Sequence, residues 1–207
     1  MKLIIVRHGE TEWNKKGKLQ GIVDIPISRV GIHQAMMIAD RLKGAKIDAI
    51  YTSKLKRAIK TARIISNHHS HIKIIQAKEL NEMSWGKWEG MTMASVKKNY
   101  AKLDEKREKD KFRFKTPKGE SPYLHQRRIS RFIKKLSKKE KNKSVLIVGH
   151  GGTNRAIISS LLNWSIKKTM KIRMHNASLT VINIKNGKAR MSLFDSKHHL
   201  TNGKMPS

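Results

Sequence analysis

Apolar residues along this chain alternate between short continuous runs and helical stripes. Leu3-Ile4-Ile5-Val6 leads into Arg7-His8-Gly9, and Val145-Leu146-Ile147-Val148 leads into Gly149-His150-Gly151-Gly152. Runs of this kind, rich in β-branched residues and closed by glycine, predict strands covered on both faces, as in a parallel sheet. After the first of them Ser28 caps a predicted helix to about Leu42, with a stripe of Ile32, Ala35, Met36, Ala39 and Leu42 and with Gly44 to stop it. Ile47 to Tyr51 predicts a strand. Leu55 to about Asn67 predicts a helix with Leu55, Ala58, Ile59, Ala62 and Ile65 on one face, and Ile72 to Ile75 a further strand.

The later half continues the alternation. Thr92 to about Asp110 predicts one highly charged helix with a sparse stripe of Met93, Val96, Tyr100 and Leu103, lying over the core like a lid. Ser121 as N-cap and Pro122 at the first helical position start the next helix, which turns Leu124, Ile129, Phe132, Ile133 and Leu136 inward. The strand Ser144 to Val148, a helix from Thr153 to Leu162, and a hairpin at Asn186-Gly187 complete the pattern. The order β-α-β-α-β predicts an α/β fold, with a mostly parallel sheet carrying helices on both faces. At 207 residues this is one domain, residues 1–207, with a lid insertion at 92–121 and a polar, frayed tail over 197–207.

Composition narrows the chemistry. Cysteine is absent, which excludes disulfides, thiolate metal sites and a cysteine nucleophile. No run approaches the roughly 20 apolar residues that cross a bilayer, and no signal-type segment is present, so the expectation is a cytoplasmic protein without a membrane partner. Net charge is +31, from 46 Lys and Arg against 15 Asp and Glu. Such a field attracts phosphate esters, nucleic acid and acidic surfaces without choosing among them. Aromatic residues are few and mostly isolated from the basic runs, which weakens a nucleic-acid reading. The cluster His68-His69-Ser70-His71 reads as a solvated turn rather than a metal site, since no cysteine or carboxylate joins it.

Ligands of open α/β sheets bind beyond the carboxyl ends of the strands. His8 and His150 both lie there, and so do Arg7 and Arg57. A neutral imidazole can attack phosphorus and split a hard displacement into two easier ones, provided cationic donors hold the phosphoryl oxygens. The leaving oxygen also needs a proton donor. Glu82, in the loop after the strand Ile72 to Ile75, suits that role, with Glu79, Glu10 and Glu89 as rivals that spacing does not separate.

Six blocks occur in order: Arg7-His8-Gly9-Glu10-Thr11-Glu12-Trp13-Asn14; Gly21 to Gly31; Ser53 to Ala62; Asn81-Glu82 with Gly86-Lys87-Trp88-Glu89-Gly90; Gly119-Glu120-Ser121; and Gly149-His150-Gly151-Gly152. Together they resemble the histidine phosphatase superfamily in its phosphoglycerate mutase-like branch. The resemblance implies a three-layer αβα sandwich and a two-step phosphoryl transfer without metal or other cofactor. It also implies that His8 is the phosphorylated nucleophile, that Arg7, Arg57 and His150 clamp the phosphate, that Asn14 and the Gly151 N–H contact it, and that Glu82 is the proton donor. Mutase members carry a longer, Arg-Arg-Tyr-containing stretch after the acid. Here Met83-Ser84-Trp85-Gly86-Lys87-Trp88-Glu89-Gly90 follows instead, which is similar to phosphatase members such as the α-ribazole phosphatases. The expected substrate is therefore a small phosphate ester, with water as acceptor. Mutase-type transfer to a sugar acid is the nearest alternative, and a nucleic-acid-binding protein with a vestigial pocket is the alternative from another class.

Overall fold

The computed structural model describes residues 1–201, apart from the Ile166 side chain. Strands β1 (Lys2–Arg7), β2 (Ala49–Thr52), β3 (Ile74–Gln76), β4 (Ser144–Gly149), β5 (Leu179–Lys185) and β6 (Lys188–Ser196) form one sheet in the order β3-β2-β4-β1-β5-β6. The first four run parallel, and β5 and β6 add an antiparallel edge. The sheet is thus mostly parallel and lies between two helical layers.

Alternation along the strands explains the layers. Leu3, Ile5, Val145 and Ile147 pack with Ile129, Ile133, Leu136 and Ile157 on one face, while Ile4, Val6, Leu146 and Val148 pack with Ile38, Ala39, Ala58 and Ala62 on the other. The first face is covered by α6 (Pro122–Lys139) and α7 (Gly151–Leu162), and the second by α2 (Arg29–Leu42) and α3 (Lys56–Ser66). Each of the fully buried valine, leucine and isoleucine side chains contributes about 1.5–3 kcal/mol, so the central strands fasten both layers.

Register then places the chemistry. β1 pairs with β4 from Lys2 opposite Ser144 to Arg7 opposite Gly149, and β2 sets Thr52 opposite Val148. His8, Ser53 and His150 are each the residue at or next beyond these ends. They leave the sheet side by side.

Several elements differ from the expectation. The buried stripe of α2 is Gly31, Ala35, Ile38, Ala39 and Leu42, whereas Met36 is 54% exposed and Ile32 also reaches solvent. Gly31 lies against the backbone of Gly9 and Glu10, where a side chain has no room, and this contact rotates the helix away from the predicted face. The predicted helix over 92–110 is two helices, α4 (Met93–Asn99) and α5 (Ala101–Lys109), broken at Tyr100, whose φ of −134° and ψ of 38° are not helical. Trp88 is fully buried, with the rings of Phe114, Tyr100 and Trp85 at 5.6, 6.2 and 6.4 Å, so the segment gathers round one indole.

In α6 Leu124 is exposed, and His125 takes the inward position, 4% exposed. The hairpin forms as expected, a two-residue turn with φ of 50° at Asn186 and 75° at Gly187. Two short helices have no counterpart in the prediction, α1 (Glu12–Lys15) and α8 (Ile166–Met170). The expected frayed tail begins instead with a helical turn, α9 (His198–Thr201), in which Leu200 packs on the core and His199 Nε2 donates to Ala177 O at 3.0 Å. Residues 202–207 lie outside the described residues. His69 of the expected solvated turn is buried, with Nε2 donating to Leu42 O at 3.2 Å. Among the described residues no helix is long and apolar enough to cross a membrane.

Candidate active site

His8 leaves β1 into a backbone held on two sides. His8 N donates to Gly149 O at 3.0 Å, and Gly9 N donates to Thr61 Oγ1 of α3 at 3.1 Å. Its Nδ1 lies 2.7 Å from Gly9 O. A carbonyl can only accept, so Nδ1 carries the proton and Nε2 keeps its lone pair. Burial, then the neighbouring Arg7 and Arg57, push the imidazole well below its ordinary value, which keeps it neutral.

His150, fully buried, sits beside it with ring centroids 5.1 Å apart. Arg57 Nε donates to His150 Nδ1 at 3.2 Å, so the other nitrogen, Nε2, bears the hydrogen and donates to Ser53 Oγ at 2.8 Å. Burial first, then Arg57, His8 and Arg7, hold His150 well below its ordinary value as well. Two adjacent neutral imidazoles thus stand among buried cations.

Arg57 comes from the first turn of α3 and is 1% exposed. Besides His150 it donates to Val23 O at 2.7 Å and Gly21 O at 2.6 Å. Three of its five N–H groups are used in this way, and two are left for an anion. Arg7 donates to Met174 O at 2.5 Å, and its Nε is buried without a partner beside Gly151. Burial lowers both arginines to about 10, so both are charged at neutral pH.

Glu82 closes the other side. Its Oε1 accepts from Met83 N at 2.9 Å and its Oε2 from Gly152 N at 2.8 Å. Burial works to raise this carboxyl, and nearby His125, the two N–H bonds and Arg155 outweigh it, leaving Glu82 below its ordinary value. His125 is itself lowered by burial, so its share of this effect is the one that fades at neutral pH. A methyl group on Gly152 would stand 2.4 Å from Glu82 Oε1, so that position admits only glycine if the carboxylate is to stay.

These groups meet on a cavity of about 260 Å³ whose walls include Arg7, His8, Asn14, Arg57, Glu82 and Gly151, with His150 immediately behind them. Of the four carboxylates that the sequence left open, Glu82 alone lines it. Glu79 is exposed, Glu10 lies off the cavity, and Glu89 is taken up by Ile22 N, Trp85 N and Ser84 Oγ. Asn14 also caps α1, since its Oδ1 accepts from Thr11 N at 3.2 Å, and it accepts from Asn176 Nδ2 at 3.1 Å. Gly151 N heads α7, at the positive end of a twelve-residue helix.

Sequence reasoning missed Ser53, Arg155, Arg173 and Lys18, which hold or line this site, and His125 and Thr153 behind Glu82. Arg155 and Thr153 follow the Gly149-His150-Gly151-Gly152 block on α7, at spacings that face the same end of the sheet, and this was the available signal. Trp85 lines the cavity, whereas Trp88 seals the core beneath it.

A family model described as the histidine phosphatase superfamily (branch 1) matches residues 3–197. Phosphoserine phosphatase 1 of Hydrogenobacter thermophilus is 32% identical over 184 residues, 89% of this chain and 87% of that protein. A putative alpha-ribazole-5'-P phosphatase from Escherichia coli superposes with a TM-score of 0.89 at 27% identity, over 95% of this chain and 97% of that one. A phosphoserine phosphatase from Entamoeba histolytica, solved with 3-phosphoglyceric acid, superposes with a TM-score of 0.84 at 32% identity, over 96% and 98%.

Proposed function

The chain belongs to the histidine phosphatase superfamily, and on that premise we propose that it hydrolyses small phosphate monoesters through a phosphohistidine on His8. One observation carries the reading. The Nδ1–H bond to Gly9 O at 2.7 Å leaves the Nε2 lone pair for phosphorus, in an imidazole that burial keeps neutral.

In the first step Nε2 bonds to phosphorus as the ester P–O bond breaks, and Glu82 gives its proton to the departing oxygen. The phosphoryl oxygens lie against the Arg7 and Arg57 guanidinium groups and the Gly151 N–H, where negative charge spreads in the transition state. Asn14 adds an amide donor from α1. His150 acts through Arg57, whose Nε–H it accepts, and because it stays neutral it adds no charge beside the nucleophile. In the second step water attacks phosphorus, its proton passes to Glu82, and the N–P bond breaks. Phosphate leaves, and both side chains return to their starting protonation.

Glu82 must hold a proton at the outset, although in the free protein its carboxyl lies below its ordinary value. The negative phosphoryl group supplies the opposing force, since a like charge within about 4–6 Å favours the neutral acid. Substrate arrival therefore arms the acid.

The test is turnover of p-nitrophenyl phosphate by His8→Ala. Loss of turnover in a variant that melts at the wild-type temperature is expected, and unchanged turnover would overturn the reading.

A further inference from the structure

Beyond Glu82 the cavity proposed to hold the phosphoryl group adjoins a second one of about 160 Å³, and the two share Glu82, Trp85, Gly152 and Arg155. On the reading above, Glu82 protonates the leaving oxygen. The alcohol is then directed past Glu82, away from His8, into this chamber.

Its apolar walls are Met83, Trp85, Pro122, Ala156 and Met170, and Glu82, His125, Gln126, Arg155 and Thr169 are its polar members. The amide and the imidazole among them are occupied. Gln126 Nε2 donates to Ser160 Oγ at 2.8 Å and Ala156 O at 3.0 Å, and His125 Nε2 lies 3.3 Å from Thr153 Oγ1. A cavity of about 150 Å³ lined by apolar side chains accommodates a benzene ring.

Charge around the two cavities is one-sided. Arg7, Lys18, Arg57, Arg155 and Arg173 line them, against Glu82 as the single carboxylate. Glu89, Glu120 and Asp195 lie outside both walls and are engaged elsewhere, Glu89 by three donors, Glu120 by Arg128 at 2.8 Å, and Asp195 by His175 at 2.5 Å. An ammonium group on the alcohol would lose its water, lie beside Arg155 with the other four cations across Glu82, and find no carboxylate besides the acid itself.

We infer that this chamber selects the substrate by the class of its alcohol, taking phosphate esters of uncharged, apolar, ring-sized alcohols and rejecting those of amino alcohols. The selection is electrostatic on one side and by shape and burial on the other.

The test compares kcat/KM for propyl phosphate, 2-aminoethyl phosphate and 2-phenylethyl phosphate. The first two have chains of equal length and differ by a methyl against an ammonium group. Propyl phosphate is expected to win by about tenfold or more, although the ammonium makes its oxygen the easier leaving group. The phenyl ring is expected to add about another tenfold. In Met170→Glu, which places a carboxylate in the wall, the ratio of aminoethyl to propyl turnover should rise. The wild-type ratio decides even if that variant does not fold. Equal or better use of the aminoethyl ester, or no gain from the ring, overturns the inference. Labelling of His8 separates the two levels. A His8 phosphoenzyme formed as readily from the aminoethyl ester leaves hydrolysis standing and the selection refuted, while no phosphoenzyme from any ester removes both.

Discussion

The two cavities that meet at Glu82 are built in contrasting ways. On the phosphate side the groups sit at ends of neighbouring strands or in the first turn of a helix, and His8, Arg57 and His150 are each at most 2% exposed. Strand register sets their spacing, and hydrogen bonds to the backbone or to a neighbouring side chain hold His8, Arg57 and His150. On the alcohol side the wall comes from the loop after Glu82, the first turns of α6 and the short α8, and Met170 is 41% exposed. On the proposed reading, fixed backbone stands where a tetrahedral anion of constant shape is held, and replaceable side chains where one ester differs from another. That reading makes chemistry and choice separable by mutation.

After loss of the nucleophile His8, the largest expected effect is at Arg57. Arg57→Ala removes a cation proposed to hold the phosphate and strips Gly21 O of its donor, while Val23 O keeps the Ile25 N–H at 3.1 Å. Loss of about 10²–10³-fold in kcat/KM is expected, with about 1–3 kcal/mol of stability for the Gly21 carbonyl left buried and unpaired. Full activity with lowered stability would show that Arg57 is a scaffold alone.

Next come adjacent glycines on opposite sides of the division between scaffold and acid. Gly152→Ala forces Glu82 aside, since a methyl there would stand 2.4 Å from Oε1, while one at Gly151 meets its nearest atom at 3.7 Å. The first should lower kcat by about 10²-fold. The second, whose methyl would face the Arg7 guanidinium at the phosphate wall without a clash, should lose less. Equal effects in steady-state assays would remove Glu82 from the reaction.

The buried imidazoles give the phosphate side a pH signature. His8 and His150 are lowered well below their ordinary 6.5 in the folded chain, and burial also lowers His125. Below pH 6.5 the unfolded chain binds protons there that the folded chain does not. Stability is thus full above 6.5 and falls as the pH drops toward the folded values. Tm should decrease from pH 7 to pH 5, and it should decrease less in His8→Asn and His150→Gln. A flat profile would contradict neutral burial.

The smallest effect belongs to the alcohol side. Trp85→Ala should raise KM for 2-phenylethyl phosphate by several-fold with kcat nearly kept. Trp88→Ala, at the centre of its aromatic cluster, should instead cost about 3–5 kcal/mol of stability.

The same division governs how much could be read from residues. Leu3 to Val6 and Val145 to Val148 announce central strands because both faces are covered, and their ends carry His8 and His150 with them. The alcohol side was far less legible. Leu124 and His125 differ by one helical step of 100°, and either fits near the start of the stripe Ile129, Phe132, Ile133, Leu136. The backbone contact of Gly31 with Gly9 and Glu10 likewise overrode the apolar stripe of α2, because close approach is a property of tertiary packing and leaves no periodic mark. Met170 joins the site through contacts with no local signature.

The central claim is that His8 carries the phosphoryl group. The direct measurement is rapid quench of wild type and His8→Ala with a phosphorus-labelled ester, followed by location of the label. An acid-labile, base-stable phosphate on His8 of the wild type, absent from the variant, is the predicted result. An unlabelled wild type, or label that persists in His8→Ala, would contradict the account.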